Sequence, residues 1–314
     1  MPWKHWSSER LGVAFAILAA AGFSLKAIFV KLAYAAAPVD AITLLSLRMA
    51  FTLPVVAWVL FSMRQSLAAL APRDWAIVVA LGLFGYYGAS ILDFLGLQTI
   101  SAGLERLILF TYPTLTVLIG VFAFGRHLEM RQAVALLLSY AGIGLAFAHD
   151  LAVAADLQPV LVGAAFVFGS AVSYAVYSAG AEVAIARLGS LRFSALAILV
   201  STAATELHFI AAHPIAELRQ PLPIFGYGAA MAVFSTVLPV FWQSAAVQRI
   251  GAARSVLIGT LGPMLTIFFG WWFLGEPVSA AQLAGAALVV GGVLMVTGRR
   301  RPGRRPEGAE AMRA

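Results

Sequence analysis

The sequence predicts an all-α integral membrane protein whose ten transmembrane helices form two inverted five-helix repeats. Composition is the first reason: of 314 residues, 61% are apolar and only 11% charged, and the mean hydropathy is +0.91. A water-soluble domain carries about 25% charged residues. Run length is the second. Apolar stretches near 20 residues recur along the chain, which is what a helix rising about 1.5 Å per residue needs to cross roughly 30 Å of hydrocarbon. The alternation of a barrel strand is absent, so helices are the expected spanning element. The third reason is an internal repeat. Shifting the chain by 150 positions without a gap places Gln98 on Gln248, Ile100 on Ile250, Leu107 on Leu257, Pro113 on Pro263, Thr116 on Thr266, Gly120 on Gly270, Gln132 on Gln282 and Gly142 on Gly292. A fixed period of this kind marks a duplicated architecture.

Charges, Gly/Pro pairs and caps bound the spans in order. The first, 11–33, follows Arg10, and its apolar run from Leu11 is too long for a signal-peptide core, so it is read as retained. Asp40 opens 41–61; Arg64 and Arg73 separate it from 75–97; Glu105 and Arg106 stand at the start of 103–124. Arg126 and Arg131 precede 132–148, which closes the first repeat, 11–148. After the connection 149–159, the second repeat, 160–298, holds 160–181, 193–211, 223–247, 254–274 and 281–298. Arg187 and Arg192, then Arg219, then Arg249 and Arg254, then a Gly275-Glu276-Pro277 turn separate these five. Residues 1–10 and the basic segment 299–314 flank the repeats.

Alternate connections differ sharply in charge. Lys4, Arg10, Arg64, Arg73, Arg126, Arg131, Arg187, Arg192, Arg249, Arg254 and the arginines from Arg299 onward fall on one side, whereas Arg219 and Arg106 fall on the other. Basic loops stay cytoplasmic, so both termini are expected there. Five spans per repeat is an odd number, which inverts the second copy relative to the first. Transporters use this design because two inverted copies can pack in two mirror-like ways. The formal charge of +7 owes six of its 21 Lys and Arg to the tail after Thr297, so it reports orientation rather than a nucleic-acid partner. There is no cysteine, hence no disulfide or thiolate site. Arg-over-Lys, Ala-rich usage fits a GC-rich bacterial genome and a place in the inner membrane.

The second half, from Pro239 to Val296, carries Arg249-Ile250-Gly251-Ala252-Ala253 ahead of span nine, a mid-helix Pro263, the Gly275-Glu276-Pro277 turn and a tenth span rich in small residues. In these marks it resembles the drug/metabolite transporter superfamily, EamA type. Lys31, Asp40, Arg48 and Pro113 are weaker marks in the first half, where Gly125-Arg126-His127-Leu128-Glu129 replaces the Gly-Glu-Pro turn. The resemblance covers about 11–298. It implies a secondary transporter whose spans one to four and six to nine line a central path, with five and ten peripheral and export favoured over uptake.

Three charges fall at similar predicted depth. Lys26 lies roughly 22 Å into span one from the cytoplasm, Arg48 roughly 12 Å into span two from outside, and Asp93 near the outer end of span three. An ionisable group in hydrocarbon costs on the order of 3 kcal/mol or more, so these should face the interior. They are read either as a fixed ion pair or as an outer gate and clamp for an anionic solute. The inverted repeat sets Tyr174, Tyr177, Trp242 and Gln243 in the opposite, cytoplasmic layer. Near mid-depth stand Tyr86, Tyr87, Tyr112, Pro113 and Pro263; a proline at that depth frees a carbonyl four residues earlier, tolerable beside protein or a wet cavity. Glu206 and His208 are candidates for proton coupling. Lys31 is read as snorkelling to the interface, Glu105, Arg106 and Glu182 as span-end groups, and Gly285, Gly291 and Gly292 as close-packing positions.

The function expected is transport of a small organic metabolite (an amino acid, amine or organic acid) by alternating access, with a proton or counter-solute as the other partner. No G-x-x-x-x-G-K-[ST] occurs, so no P-loop of its own supplies ATP hydrolysis. An antiporter of phosphorylated sugars or nucleotide-sugars is the alternative, and an intramembrane lipid-modifying enzyme a weaker one. No catalytic residue, metal site or cofactor is expected: the histidines at 5, 127, 149, 208 and 213 lie near span ends, no H-E-x-x-H occurs, and no acid cluster is evident.

Overall fold

The computed structural model describes residues 8–63, 70–124, 129–153 and 156–297. Lys4, Arg64, Arg126, His127 and the basic segment from Arg299 lie outside them, as does the side chain of Glu182. The described residues form helices and no strand. In chain order these are α1 (Ser8–Ala36), α2 (Ala41–Ser62), α3 (Pro72–Gly82 continuing through Leu83–Gly88 to Ala89–Gly96), α4 (Ala102–Leu109 and Tyr112–Phe124) and α5 (Met130–Val153). They are followed by α6 (Leu157–Leu188), α7 (Ser190–Ala212), α8 (Leu222–Ala232 through Val233–Val237 to Leu238–Ile250), α9 (Ala252–Gly259 and Gly262–Leu274) and α10 (Ala280–Thr297). Nine of these are long and apolar enough to cross a membrane, and the stretch Ala280–Met295 is a shorter apolar helix.

Local chemistry sets the helix ends. Asp40 Oδ1 accepts from the amides of Ile42 (2.9 Å) and Thr43 (3.0 Å) to start α2, Ser101 accepts from Leu104 to start α4, and Asp156 from Gln158 to start α6. Each satisfies an amide that the first turn leaves without a helical partner. Gly189, Gly251 and Gly275 sit at φ of 80°, 81° and 65°, a region that costs glycine nothing and other residues strain. Two of these turns let α6 run directly into α7 and α8 into α9.

Two irregularities recur at the 150-residue offset. A widened π turn occupies Leu83–Gly88 in α3 and Val233–Val237 in α8. A break falls at Phe110 and Thr111 in α4 and at Thr260 and Leu261 in α9, each followed by a proline, Pro113 or Pro263, near the start of the resumed helix. Proline has no amide to give the carbonyl four residues back and its ring crowds it, which accounts for both breaks. Threonine hydroxyls bond carbonyls beside each break: Thr111 Oγ1 donates to the Ile108 carbonyl and Thr260 Oγ1 to that of Leu257, both at 2.6 Å.

Packing relies on small residues where helices cross, since in lipid association rests on close van der Waals contact. A Cβ on Gly142 of α5 would stand 2.5 Å from the Gly285 carbonyl of α10, and one on Gly285 would stand 2.5 Å from the Gly142 carbonyl. Gly292 meets Ser139 and Ala135 in the same way. Gly291, read from sequence as a packing position, instead faces open space. A second cluster, Ala27, Ile28, Leu44, Leu45, Phe94 and Met231 among others, joins α1, α2, α3 and α8. The third unites Val59, Val78, Tyr177 and Phe193 across α2, α3, α6 and α7.

Candidate functional site

The irregular turns converge on a central cavity of about 390 Å³, of the size that holds a small organic ligand. Its wall takes residues from α1 to α4 and from α6 to α9, with Val293 from α10. Hydroxyl and amide groups are frequent there: Ser90, Ser170, Ser190, Ser194, Ser235, Thr236, Ser244, Ser255, Thr260, Tyr86, Tyr112, Tyr174 and Gln243. The cations Lys26, Arg48 and Arg106 also line it, and no carboxylate does among the described residues.

The two π turns and two breaks position this wall. Tyr86 projects from the π turn of α3, and Ser235 and Thr236 from that of α8; π turns are frequent where helices serve a site. Ser173 Oγ and Ser170 Oγ of α6 donate to the carbonyls of Phe84 and Ala89, each at 2.7 Å, and brace α3 there. Pro113 and Pro263 withhold amides from Leu109 and Gly259, four residues back in each case, and both of those residues line the cavity. Of the two prolines read from sequence as pointing toward a cavity, Pro113 lies on the wall and Pro263 does not.

Beside the cavity, Lys26 Nζ lies 2.7 Å from Asp93 Oδ2 and 3.3 Å from Glu105 Oε1. Asp93 is 1% exposed and Glu105 0%, so one ammonium serves two buried carboxylates. Without it each would carry the cost of a charge taken from water. Arg48, also buried, donates from Nε to Thr236 Oγ1 at 3.1 Å and lies over the Phe94 ring at 5.7 Å. Arg106 lies over Phe110 at 5.9 Å. One turn along α1, Lys31 pairs with Glu276 at 3.3 Å and donates to the Ile100 carbonyl at 2.7 Å. Glu276 in turn accepts from the Ala102 amide at 3.1 Å through both oxygens, so the turn between α9 and α10 caps α4.

Of the residues singled out in the sequence, Lys26, Arg48, Tyr86, Tyr112, Pro113, Tyr174 and Gln243 line the cavity. Asp93 stands behind Lys26. Tyr177 is buried in an aromatic group with Tyr86 (5.4 Å), Tyr174 (5.3 Å) and Phe193 (6.0 Å) rather than on the wall. Tyr87, Trp242 and Pro263 are likewise absent from the described wall. Glu206 accepts from Ser46 Oγ at 2.6 Å, and His208 Nδ1 meets Tyr87 Oη at 2.8 Å, so each has its own partner outside the cavity.

Three readings from sequence need correction. Glu105 is no solvated span-end group: Ser101 and Glu276 cap the helix just ahead of it, and it is enclosed against Lys26. Arg106, read the same way, lines the cavity. Lys31 is tied to Glu276 and to a carbonyl instead of reaching freely for the interface. The fold also gathers Asp40, His213 and Glu217, with ligand atoms within 4.8 Å of one another, where the sequence showed no cluster. Their bonds to each other and to the start of α2 account for them: His213 lies 2.7 Å from Glu217 and 3.6 Å from Asp40, and Thr43 Oγ1 also donates to Asp40. Arg106, Glu105, Ser235, Thr236 and Ser255 were missed; the mid-span position of Ser235 and Thr236 was the available signal, whereas Ser255 stands at the start of its span.

This arrangement defines a class: a multi-pass helical membrane protein with a chamber at its centre that carries hydroxyl, amide and cationic groups. Comparison with known proteins gives the family. The model of the EamA-like transporter family matches residues 10–148 and again 161–298. The uncharacterized transporter YcbK of Bacillus subtilis (strain 168) is 30% identical over 300 residues, covering 91% of each chain. YyaM of the same organism, also an uncharacterized transporter, is 24% identical over 223 residues, covering 70% of this chain and 72% of the relative. A solved crystal structure superposes with a TM-score of 0.62 at 20% identity, covering 92% of this chain and 96% of that one, a likeness of fold. The chain belongs to the EamA-like transporter family.

Proposed function

We propose that the chain is a secondary active transporter that carries a small organic metabolite through the central cavity by alternating access. The observation that carries this reading is a chamber of about 390 Å³, walled by helices of both halves, with hydroxyl, amide and cationic groups among its lining. Inside an apolar bundle, such a chamber gives a water-soluble solute a route that lipid denies it. The ten helices are taken as two inverted repeats, 11–148 and 160–298. Support comes from π turns and breaks that recur at the 150-residue offset and from a family model that matches the chain twice. Two such units can pack in two related ways, opening the chamber to either side in turn.

With both termini in the cytoplasm of a bacterial inner-membrane protein, the Lys26–Asp93–Glu105 and Lys31–Glu276 groups lie toward the outside and act as its gate. Ser190, Ser194, Ser244 and Ser255 then lie toward the cytoplasmic end. Lys26, Arg48, Tyr86, Tyr112, Pro113, Tyr174 and Gln243 contact the solute or its path. Tyr177 supports that wall from behind. We take the solute to be an amino acid, amine or organic acid and, from the family resemblance, the direction to be export. Exchange of a phosphorylated compound is a second reading, favoured by the three cations on the wall.

The purified chain in proteoliposomes is expected to move at least one class from a panel of labelled amino acids, amines, organic acids and sugar phosphates. The flux should saturate with concentration and respond to an imposed pH or counter-solute gradient. Passage of none of them above empty vesicles, with the protein correctly inserted, would overturn the proposal.

A further inference from the structure

We infer that the solute is held through an oxyanion group, carboxylate or phosphate, received by the guanidinium groups of Arg48 and Arg106. This rests on the transporter reading and adds the chemistry of the solute to it. Arg48 is 6% exposed; its Nε is used by Thr236, while its Nη1 is buried without a hydrogen-bond partner. Nε of Arg106 is also buried without one. Both residues line the cavity, and they come from different helices, α2 and α4. A buried donor left unmade is costly, and doubly so on a charged group. Two such donors on residues that line one chamber are explained if the chamber closes around an acceptor.

Charge selects the kind of acceptor. Lys26 is engaged by Asp93 and Glu105, so it is not the free cation of this layer. Lys26, Arg48 and Arg106 against Asp93 and Glu105 leave one positive charge in excess, and no carboxylate lines the cavity among the described residues. A bound amine would add a second uncompensated cation at low dielectric, where an unpaired charge is most costly. An oxyanion removes the excess, and the planar fork of arginine matches carboxylate and phosphate geometry in a way that an ammonium does not. The hydroxyl of Ser235, buried without a partner, stands on the same wall to take a remaining contact, while Thr236 Oγ1 donates to the Met231 carbonyl and holds Arg48 Nε in place.

Matched compounds test this whatever the physiological solute: benzoate, benzamide and benzylamine; glutamate and glutamine; glucose 6-phosphate and glucose. Thermal unfolding of the detergent-purified full chain is recorded with each, and flux in proteoliposomes alongside. An oxyanion member is expected to raise the melting temperature where its partner of the same skeleton with one fewer oxyanion group raises it less or not at all. Arg48→Gln and Arg106→Gln should each weaken that binding about tenfold or more, as loss of a charged hydrogen bond does. Arg48→Lys, which keeps the charge and spares the fold, should recover only part. Benzoate against glucose 6-phosphate separates carboxylate from phosphate. Stabilisation chiefly by benzylamine or by the neutral members, stabilisation by no oxyanion, or wild-type binding in folded arginine variants would each overturn the inference. Oxyanion binding without flux would retire the transporter reading and keep the clamp; saturable flux of an amine or a neutral compound would do the reverse.

Discussion

Lys26→Ala is expected to be the most damaging single substitution in the interior. It leaves Asp93 and Glu105, 1% and 0% exposed, without the ammonium that lies 2.7 Å and 3.3 Å from them. Breaking a buried ion pair from one side costs about 3–5 kcal/mol, because the remaining charge keeps its desolvation cost and loses its partner. Here two carboxylates are stranded at once. The melting temperature in detergent should fall steeply and flux should fall with it. Lys26→Arg, which keeps the charge, should retain most of the stability. A triple replacement, Lys26→Met with Asp93→Asn and Glu105→Gln, should restore more stability than Lys26→Ala alone keeps, since it removes the charges together. If Lys26→Ala melts like the wild type, the three groups are not the mutually dependent unit described here.

Gly85→Ala is expected to disturb the cavity wall from behind. A Cβ at Gly85 would stand 2.2 Å from Cδ2 and Cγ of Tyr177 and 2.7 Å from its Cβ. The last of these is not the mobile end of a side chain, so the ring or the helix must move. Tyr177 packs on Tyr86 and Tyr174, and both of those line the cavity. Overpacking of this kind costs about 1–3 kcal/mol. The expected result is a lower melting temperature together with reduced flux, and partial recovery of both when Tyr177→Ala is added, because the two changes share one contact. Additive losses in the double variant would show that Gly85 acts elsewhere.

Much of this architecture was legible in the sequence because membrane helices announce themselves by length and hydropathy, and because residues 98–148 and 248–298 match at one offset of 150 without a gap. Pro113 and Pro263 located both helix breaks, since the missing amide acts wherever a proline falls. The π turns were not legible: Leu83–Gly88 and Val233–Val237 occupy matching positions but share little sequence, and no residue type enforces a widened turn. Charge placement succeeded where depth decides it and failed where coverage does. Rise per residue placed Lys26, Arg48 and Asp93 in one layer but left open which cation pairs with Asp93; the structure sets Lys26 there. Glu105 was misplaced because a residue three positions into α4 reads as interfacial. The α9–α10 turn, 174 residues away from Ala102, folds over that end and caps it through Glu276. Arg48 finds Thr236 across 188 residues, a pairing that only the packed bundle creates. Tyr177 was set on the path by the repeat alignment, yet the close approach of Gly85 draws it into the aromatic group.

The most direct test of the cavity as the transport path uses the absence of cysteine from the chain. Ser90→Cys and Ser244→Cys each place one thiol on the described wall, with Phe122→Cys on the exposed outer surface of α4 as the control. Flux of the panel solute in proteoliposomes is measured before and after reaction with small and bulky maleimides. The expected result is that modification at Ser90 or Ser244 blocks flux in proportion to the bulk attached, and that solute slows the reaction there but not at Phe122. Unchanged flux through fully modified Ser90 and Ser244 variants would contradict the cavity as the route.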